Sequence, residues 1–249
     1  MKTKKTVSLS DLGGPSANIY QMTPKNTNAC TACSRLSCIY PENCPNLQTE
    51  HKPLIELYNT VSNMPEVKNL VIASGIRYEL ALQCPDYMRE LILKHTGGYL
   101  KIAPEHVAPR TLEIMMKPGH RKLEQFLTQF NEISNQANKK QYVIPYFIAA
   151  HPGCDDKDML KVAIWLKKHN IYVDQVQTFL PTPMSAATTI YHTGFNPSQK
   201  IDFSKPQLYV PKTPKQRQRQ KNIIRYHAPE NKNLISTLLK KYKMTHLYQ

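Results

Sequence analysis

Tyr142-Val143-Ile144-Pro145-Tyr146-Phe147-Ile148-Ala149-Ala150-His151-Pro152-Gly153 is the stretch that decides the fold class of this chain. The run from Tyr142 to Ala150 is rich in β-branched and aromatic side chains and reads as a strand, which His151-Pro152-Gly153 brings to a stop. From Asp158 to Lys168 the period changes. Met159, Val162, Ala163 and Leu166 recur at helical spacing and turn one face toward a core. Strand, sharp stop and amphipathic helix make one βα unit. Pro145 interrupts the apolar run, which is also too short to cross a bilayer.

The pattern recurs on both sides. Thr6-Val7-Ser8-Leu9 reads as a strand ending at Asp11-Leu12-Gly13-Gly14, and Lys68 to Ala73 as one ending at Ser74-Gly75. Tyr99 to Ala103 ends at Pro104, and Ile171 to Gln177 ends near Pro181. Between them, Leu54, Ile55, Tyr58 and Val61 form one helical stripe, and Leu123, Phe126, Leu127, Phe130 and Ile133 another. Such alternation predicts an α/β fold of parallel βα units, either a doubly wound sheet or a (β/α) barrel. In both, ligands meet the C-terminal ends of the strands. Gly13, Gly14, Gly75 and Gly153 stand just past strands, where backbone approaches a ligand closely. Arg77, Glu105 and His151 also follow strand ends; singly each reads more readily as a cap, but the set converges on one face.

The composition shifts after about Thr193. Proline and lysine mark Asn196 to Pro214 as a linker, and two helices follow. One runs from Lys215 to Tyr226 with Arg217, Lys221 and Arg225 on a face, and the other carries Leu234, Ile235, Leu238, Leu239 and Tyr242. The expected division is therefore 1–195 and 196–249. With 33 Lys and Arg against 18 Asp and Glu, the 249-residue chain has a formal charge of +15. That excess points to a polyanionic partner, nucleic acid before anionic lipid, with plain solubility as the bland alternative. The helix around Lys215-Gln216-Arg217-Gln218-Arg219-Gln220-Lys221 could track a phosphate backbone, although a solvated face is the commoner use of such charge.

No secretory signal follows Met1-Lys2-Thr3-Lys4-Lys5, because Ser8, Ser10 and Asp11 break the apolar stretch. A cytoplasmic protein without a membrane partner is expected, and its six cysteines then suggest metal or sulfur chemistry rather than disulfides. Cys30, Cys33, Cys38 and Cys44 follow the pattern C-x2-C-x4-C-x5-C. Thiolates this close hold zinc or an iron–sulfur cluster, and the spacing does not choose between them. Cys84, opening a helix, and Cys154 read as unpaired.

The motifs carry a resemblance. Ser10 to Tyr20, Leu36 to Pro45, Ile72 to Tyr78, Gly97 to His106, Met115 to Gly119, Ile144 to Gly153, Asp174 to Gln177 and Val210 to Lys212 together resemble the YgiQ family of radical S-adenosylmethionine proteins over nearly the whole chain. The resemblance implies a partial (β/α) barrel with a helical C-terminal extension. It also implies a 4Fe-4S cluster on a C-x3-C-x2-C loop after the first strand, where S-adenosylmethionine is cleaved to a 5′-deoxyadenosyl radical. No C-x3-C-x2-C occurs in this sequence, and Thr6-Val7-Ser8-Leu9 corresponds to the family's second barrel strand. The resemblance thus implies a C-terminal fragment that lacks the first strand and is not catalytic alone, with an upstream half encoded separately. By position Gly13 and Gly14 resemble the pair that meets the methionine end of the cofactor, although Pro15 replaces the usual acidic residue. Glu105 resembles a ribose acceptor, His151 and Gly153 would lie by the adenosine, and Gln175 or Gln177 near adenine or substrate. The cysteine loop is then a second metal site. Two alternatives of other classes stand beside this: a non-enzymatic, metal-stapled basic module that binds RNA, and an inactive product of a split gene.

Overall fold

The computed structural model describes residues 6–12, 17–173 and 176–248. In chain order these form β1 (Val7–Ser10), α1 (Asn28–Thr31), α2 (Lys52–Ser62), β2 (Val67–Val71), α3 (Tyr78–Ala81), α4 (Pro85–Lys94), β3 (Tyr99–Glu105), α5 (Pro109–Ile114), α6 (Arg121–Gln136), β4 (Tyr142–Ala149), α7 (Asp156–Lys168), β5 (Gln177–Thr178), α8 (Ala186–Thr193), α9 (Pro214–Ile224) and α10 (Lys232–Lys241). The strands make two sheets, β1-β2 and β3-β4-β5. The fold is α/β with parallel pairing, as the alternation of periods predicts. Two compact units share these elements: residues 1–104 with 121–145, and residues 105–120 with 146–249.

In the first unit β1 lies parallel to β2, with Leu9 opposite Leu70 and Ser10 opposite Val71. Parallel neighbours need a crossover, and α2 supplies it with Leu54, Tyr58 and Val61 buried. Strand β3 alternates in the strict period of two, burying Leu100 and Ile102 and turning Tyr99 and Lys101 outward. Helix α6 buries Leu123, Phe126 and Phe130 at helical spacing. Phe126 meets Tyr78 of α3 at 5.9 Å between ring centroids and Phe130 at 6.3 Å.

In the second unit β4 pairs in parallel with β5 through Ile148–Gln177 and Ala149–Thr178. The expected strand over Ile171 to Gln177 is shorter, because the end of α7 claims its first residues. Asn170 adopts φ 53°, and the Ile171 amide donates 3.0 Å to the Leu166 carbonyl, closing the helix as a left-handed C-terminal cap does. Asp174 and Gln175 lie outside the described residues. At the other end of α7, Asp155 accepts the Asp158 amide at 2.9 Å, and Lys167 and Lys168 occupy the last turn, so both ends suit the helix dipole.

Helix α8 has no clear apolar stripe, but its caps are plain: Ser185 accepts the Thr188 amide at 3.2 Å, and Gly194 takes φ 75°. The proline-rich stretch after it is tied down rather than loose. Leu208 donates to the Gly194 carbonyl at 2.8 Å, and Tyr209 O accepts the Gly153 amide at 2.7 Å. Helix α9 opens with a reciprocal capping box between Thr213 and Gln216 and Pro214 in its first turn.

Gln220 of α9 is fully buried and bonds twice to the turn after β4. Its carbonyl accepts the Ala150 amide at 2.9 Å, and its amide donates 2.9 Å to the Cys154 carbonyl. Gln220→Ala would leave both backbone groups buried without partners. The expected loss is on the order of 2–4 kcal/mol, read from urea unfolding; a loss below about 0.5 kcal/mol would show that the turn does not depend on this side chain.

Candidate functional site

Within each unit, several chemistry-bearing residues follow the C-terminal end of a strand. In the first unit Asp11 follows β1 in a left-handed conformation, φ 81°. Its carboxylate accepts the Ala73 and Ser74 amides, both at 2.8 Å, and the Ser74 hydroxyl at 2.9 Å. One acidic side chain thus ties together the ends of β1 and β2. Buried Asn18 grips Arg77 from both sides: Oδ1 accepts the Arg77 amide at 2.8 Å and Nδ2 donates 2.9 Å to its carbonyl. The Arg77 guanidinium is spent on buried Glu79, with Nε–Oε1 at 2.5 Å. His51 stacks on Tyr87 with centroids 4.1 Å apart, and burial lowers its pKa to about 4. Gly13 and Gly14 lie outside the described residues.

In the second unit Glu105 stands at the end of β3 with φ 65°, and its carboxylate is 3.6 Å from Lys117 Nζ. His151, 5% exposed, donates from Nδ1 to its neighbour Pro152 O at 2.7 Å and meets Phe179 edge-on at 5.2 Å. Burial lowers its pKa to about 4. Gly153 takes φ 83°, and a Cβ there would stand 2.3 Å from Ile114 Cδ1. Its amide goes to Tyr209 and its carbonyl accepts Arg110 Nη2 at 3.0 Å. This glycine makes room for the protein's own side chain, and its backbone groups are used within the fold. Gln177 lies exposed on β5.

A buried cluster of the unit joins residues that no sequence spacing links. His106 Nδ1 accepts the Ala108 amide at 2.9 Å, which leaves the proton on Nε2, 3.3 Å from Cys154 Sγ. Both groups are fully buried. Burial, with smaller contributions from His151 and Lys161, lowers the His106 pKa to about 3 against the opposing pull of Asp158. Burial first, then Asp158, pushes the Cys154 thiol well up. Imidazole and thiol are therefore both neutral, and the pair is a packing contact rather than an activated nucleophile. Beside it, Asp158 is 3% exposed and accepts from Arg110 Nε at 3.2 Å, Thr111 Oγ1 at 3.3 Å and Lys161 Nζ at 2.9 Å. Cys154 and His106 are 48 residues apart, and no local pattern announces such a contact.

Cys30, Cys33 and Cys38 are exposed and Cys44 half-buried, all as free thiols. Their loop is closed at its base, where Lys25 donates to Asn46 O at 2.7 Å and Asn26 and Asn46 exchange bonds of 2.9 and 2.8 Å. Arg35 holds the turn between, donating to Tyr40 O at 3.1 Å and Glu42 O at 2.5 Å. Among the described residues no group of three or more His, Cys, Asp or Glu side chains comes together as a metal site. As folded, the four thiols are not gathered to hold a zinc or a cluster. No helix among the described residues is long and apolar enough to cross a membrane.

Residues 174–247 match a family model described as a domain of unknown function, DUF3362. The chain is 48% identical over 239 residues to the UPF0313 protein YgiQ of Escherichia coli K12, covering 96% of this chain and 32% of that protein. A putative UPF0313 protein of Yersinia pestis is 46% identical over 239 residues, 96% of this chain and 31% of its own length. A UPF0313 protein of Chromobacterium violaceum is 48% identical over 231 residues, 93% and 30% respectively. The chain spans about a third of the length of these curated relatives.

Two measurements check the site. His51, His106 and His151 are held neutral with folded pKa values of about 4, 3 and 4, below the unfolded value near 6.5. Their contribution is complete above pH 6.5 and is lost as the pH falls toward 4, because the unfolded chain takes up protons first. Denaturation at pH 5.5 is expected to show a loss of about 1 kcal/mol per histidine relative to pH 7.5; an unchanged midpoint would contradict their neutral burial. With a maleimide reagent, Cys30, Cys33 and Cys38 are expected to react at once and Cys154 only after unfolding. Protection of the three that a chelator lifts would instead reveal a gathered metal site.

Proposed function

Since this chain belongs to the UPF0313 family and carries about a third of its relatives' length, we propose that it is the part of a radical S-adenosylmethionine protein that shapes the strand ends of a partial (β/α) barrel, and that it generates no radical alone. The observation that supports this best is the backbone at those ends. Asp11 after β1, Glu105 closing β3 and Ala150 after β4 take φ of 81°, 65° and 61°. Residues other than glycine adopt this conformation at a cost and cluster where ligands are clamped. In open or barrel parallel folds the C-terminal strand ends are where substrates bind.

Under this reading each residue has a limited task. Asp11 fixes the spacing of the first two strand ends through Ala73 and Ser74, and Asn18 sets the backbone at Arg77. Glu105 offers the one carboxylate of the cofactor set, in reach of Lys117. The sequence has no C-x3-C-x2-C, so the ligands of a radical-generating cluster are proposed to lie in the part of the longer relatives outside the matched stretch.

The test is anaerobic reconstitution with iron and sulfide, followed by dithionite and S-adenosylmethionine. The chain is expected to form no 5′-deoxyadenosine above an unreconstituted control, and a full-length relative treated in parallel is expected to form it. Turnover by this chain would sink the proposal that it needs the rest of the protein. Absence of turnover from the full-length relative would sink the radical reading itself.

A further inference from the structure

A cleft in the second unit belongs to none of the features above. It has a volume of about 630 Å³, within the ~300–1,000 Å³ of small-ligand sites. Most of its lining falls in the residues that match the domain of unknown function. Lys167, Lys232 and Lys240 stand around it with His227, and among the described residues no carboxylate lines it. Lys232 and Lys240 are exposed and have no acidic partner among the described residues. Ile235 and Leu239 of α10 supply an apolar floor.

The aromatic side of the cleft is built as a platform. Tyr226 is buried, and its hydroxyl donates 3.3 Å to the Ile171 carbonyl, so its ring is fixed. Burial, with Tyr172 and Tyr248 beside it, pushes that phenol up to about 12, and it stays neutral. Tyr172 lies on it with centroids 6.2 Å apart and planes 20° from parallel, yet is 65% exposed. Tyr248 closes one side, with Lys167 Nζ 4.1 Å above its ring. Tyr172 thus offers a ring face to solvent beside the exposed ammonium groups of Lys232 and Lys240.

We propose that this cleft binds a nucleotide unit of single-stranded nucleic acid, with a base on the exposed Tyr172 ring and phosphates at Lys232 and Lys240. Stacking accepts any base, and exposed ammonium groups suit the backbone, which is how proteins hold single strands without sequence preference. Lys232 and Lys240 are eight residues apart on one helix, about 12 Å along its axis, so they meet different phosphates of an extended strand. The formal charge of +15 would draw such a partner in from a distance. A free nucleotide shares the same chemistry, and the test separates the two.

The full chain is titrated into a fluorescein-labelled 12-nucleotide single strand in 50 mM salt, and anisotropy is read. Wild type is expected to bind, Tyr172→Ala to bind about tenfold more weakly, and Lys232→Glu with Lys240→Glu to weaken binding and flatten its salt dependence. All three side chains are exposed, and thermal melts confirm that the variants are folded. Displacement of the strand by adenosine or uridine monophosphate at equal phosphate concentration assigns the site to a free nucleotide; displacement only by longer strands assigns it to nucleic acid. No binding by wild type, or equal binding by all three proteins, overturns the proposal. So does capture by anionic-lipid vesicles, abolished by the same substitutions, in a protein that ignores the strand.

Discussion

A carboxylate taken out of water must be answered by the groups around it, and the second unit is arranged around one such case. Asp158 receives Arg110, Thr111 and Lys161 at once, while its own amide caps onto Asp155. Burial of an ionised acid without that company would cost several kcal/mol. The requirement fixes the start of α7 against the segment from His106 to Ile114, since Arg110 and Thr111 come from α5. Arg110 continues to the Gly153 carbonyl, Gly153 yields its side-chain space to Ile114, and Cys154 comes to rest against His106. Each of these contacts presupposes the one before it.

The basic helix α9 shows how charge read from a sequence is redistributed by a fold. Arg217 turns to the Phe179 carbonyl, Arg219 pairs with Asp156 at 2.6 Å, and Arg225 reaches Glu230 at 3.7 Å. Most of the helix's arginine charge thus serves the packing of α9 on α7 and its neighbours. The neutral residue between them, Gln220, is fully buried and holds the two backbone bonds of the β4 turn. On α10, by contrast, Lys232 and Lys240 stand exposed to solvent, while Lys241 lies 5.1 Å over the Tyr242 ring.

Features with local causes were legible in the sequence. The helices α2, α6 and α7 announce themselves by apolar spacing, and four strands stand where the branched and aromatic runs lie. The fifth strand is shorter than its sequence pattern, because a period of two cannot reveal that the Ile171 amide finishes the preceding helix. Helix α8, short and threonine-rich, has too weak an apolar stripe to stand out, and only Ile190 of it is buried. The space that Gly153 leaves is filled by Ile114, a partner thirty-nine positions earlier that no local pattern reveals. The cysteine pattern shows thiols that are neighbours in the chain, but adjacency does not make them converge. Long-range pairs such as His106 with Cys154 leave no local trace.

The reciprocal pair between Asn26 and Asn46 has an architectural consequence. With Lys25 bonded to the Asn46 carbonyl and Pro24 bridged to Leu47, the two ends of the cysteine segment meet as the stem of a stem-loop does. Whatever the tip contains, the chain enters and leaves through nearly the same point. The segment is thereby an interchangeable cassette: natural variation could lengthen, trim or replace the cysteines with little strain passed to the body, and new chemistry could be tried there without renegotiating the fold beneath.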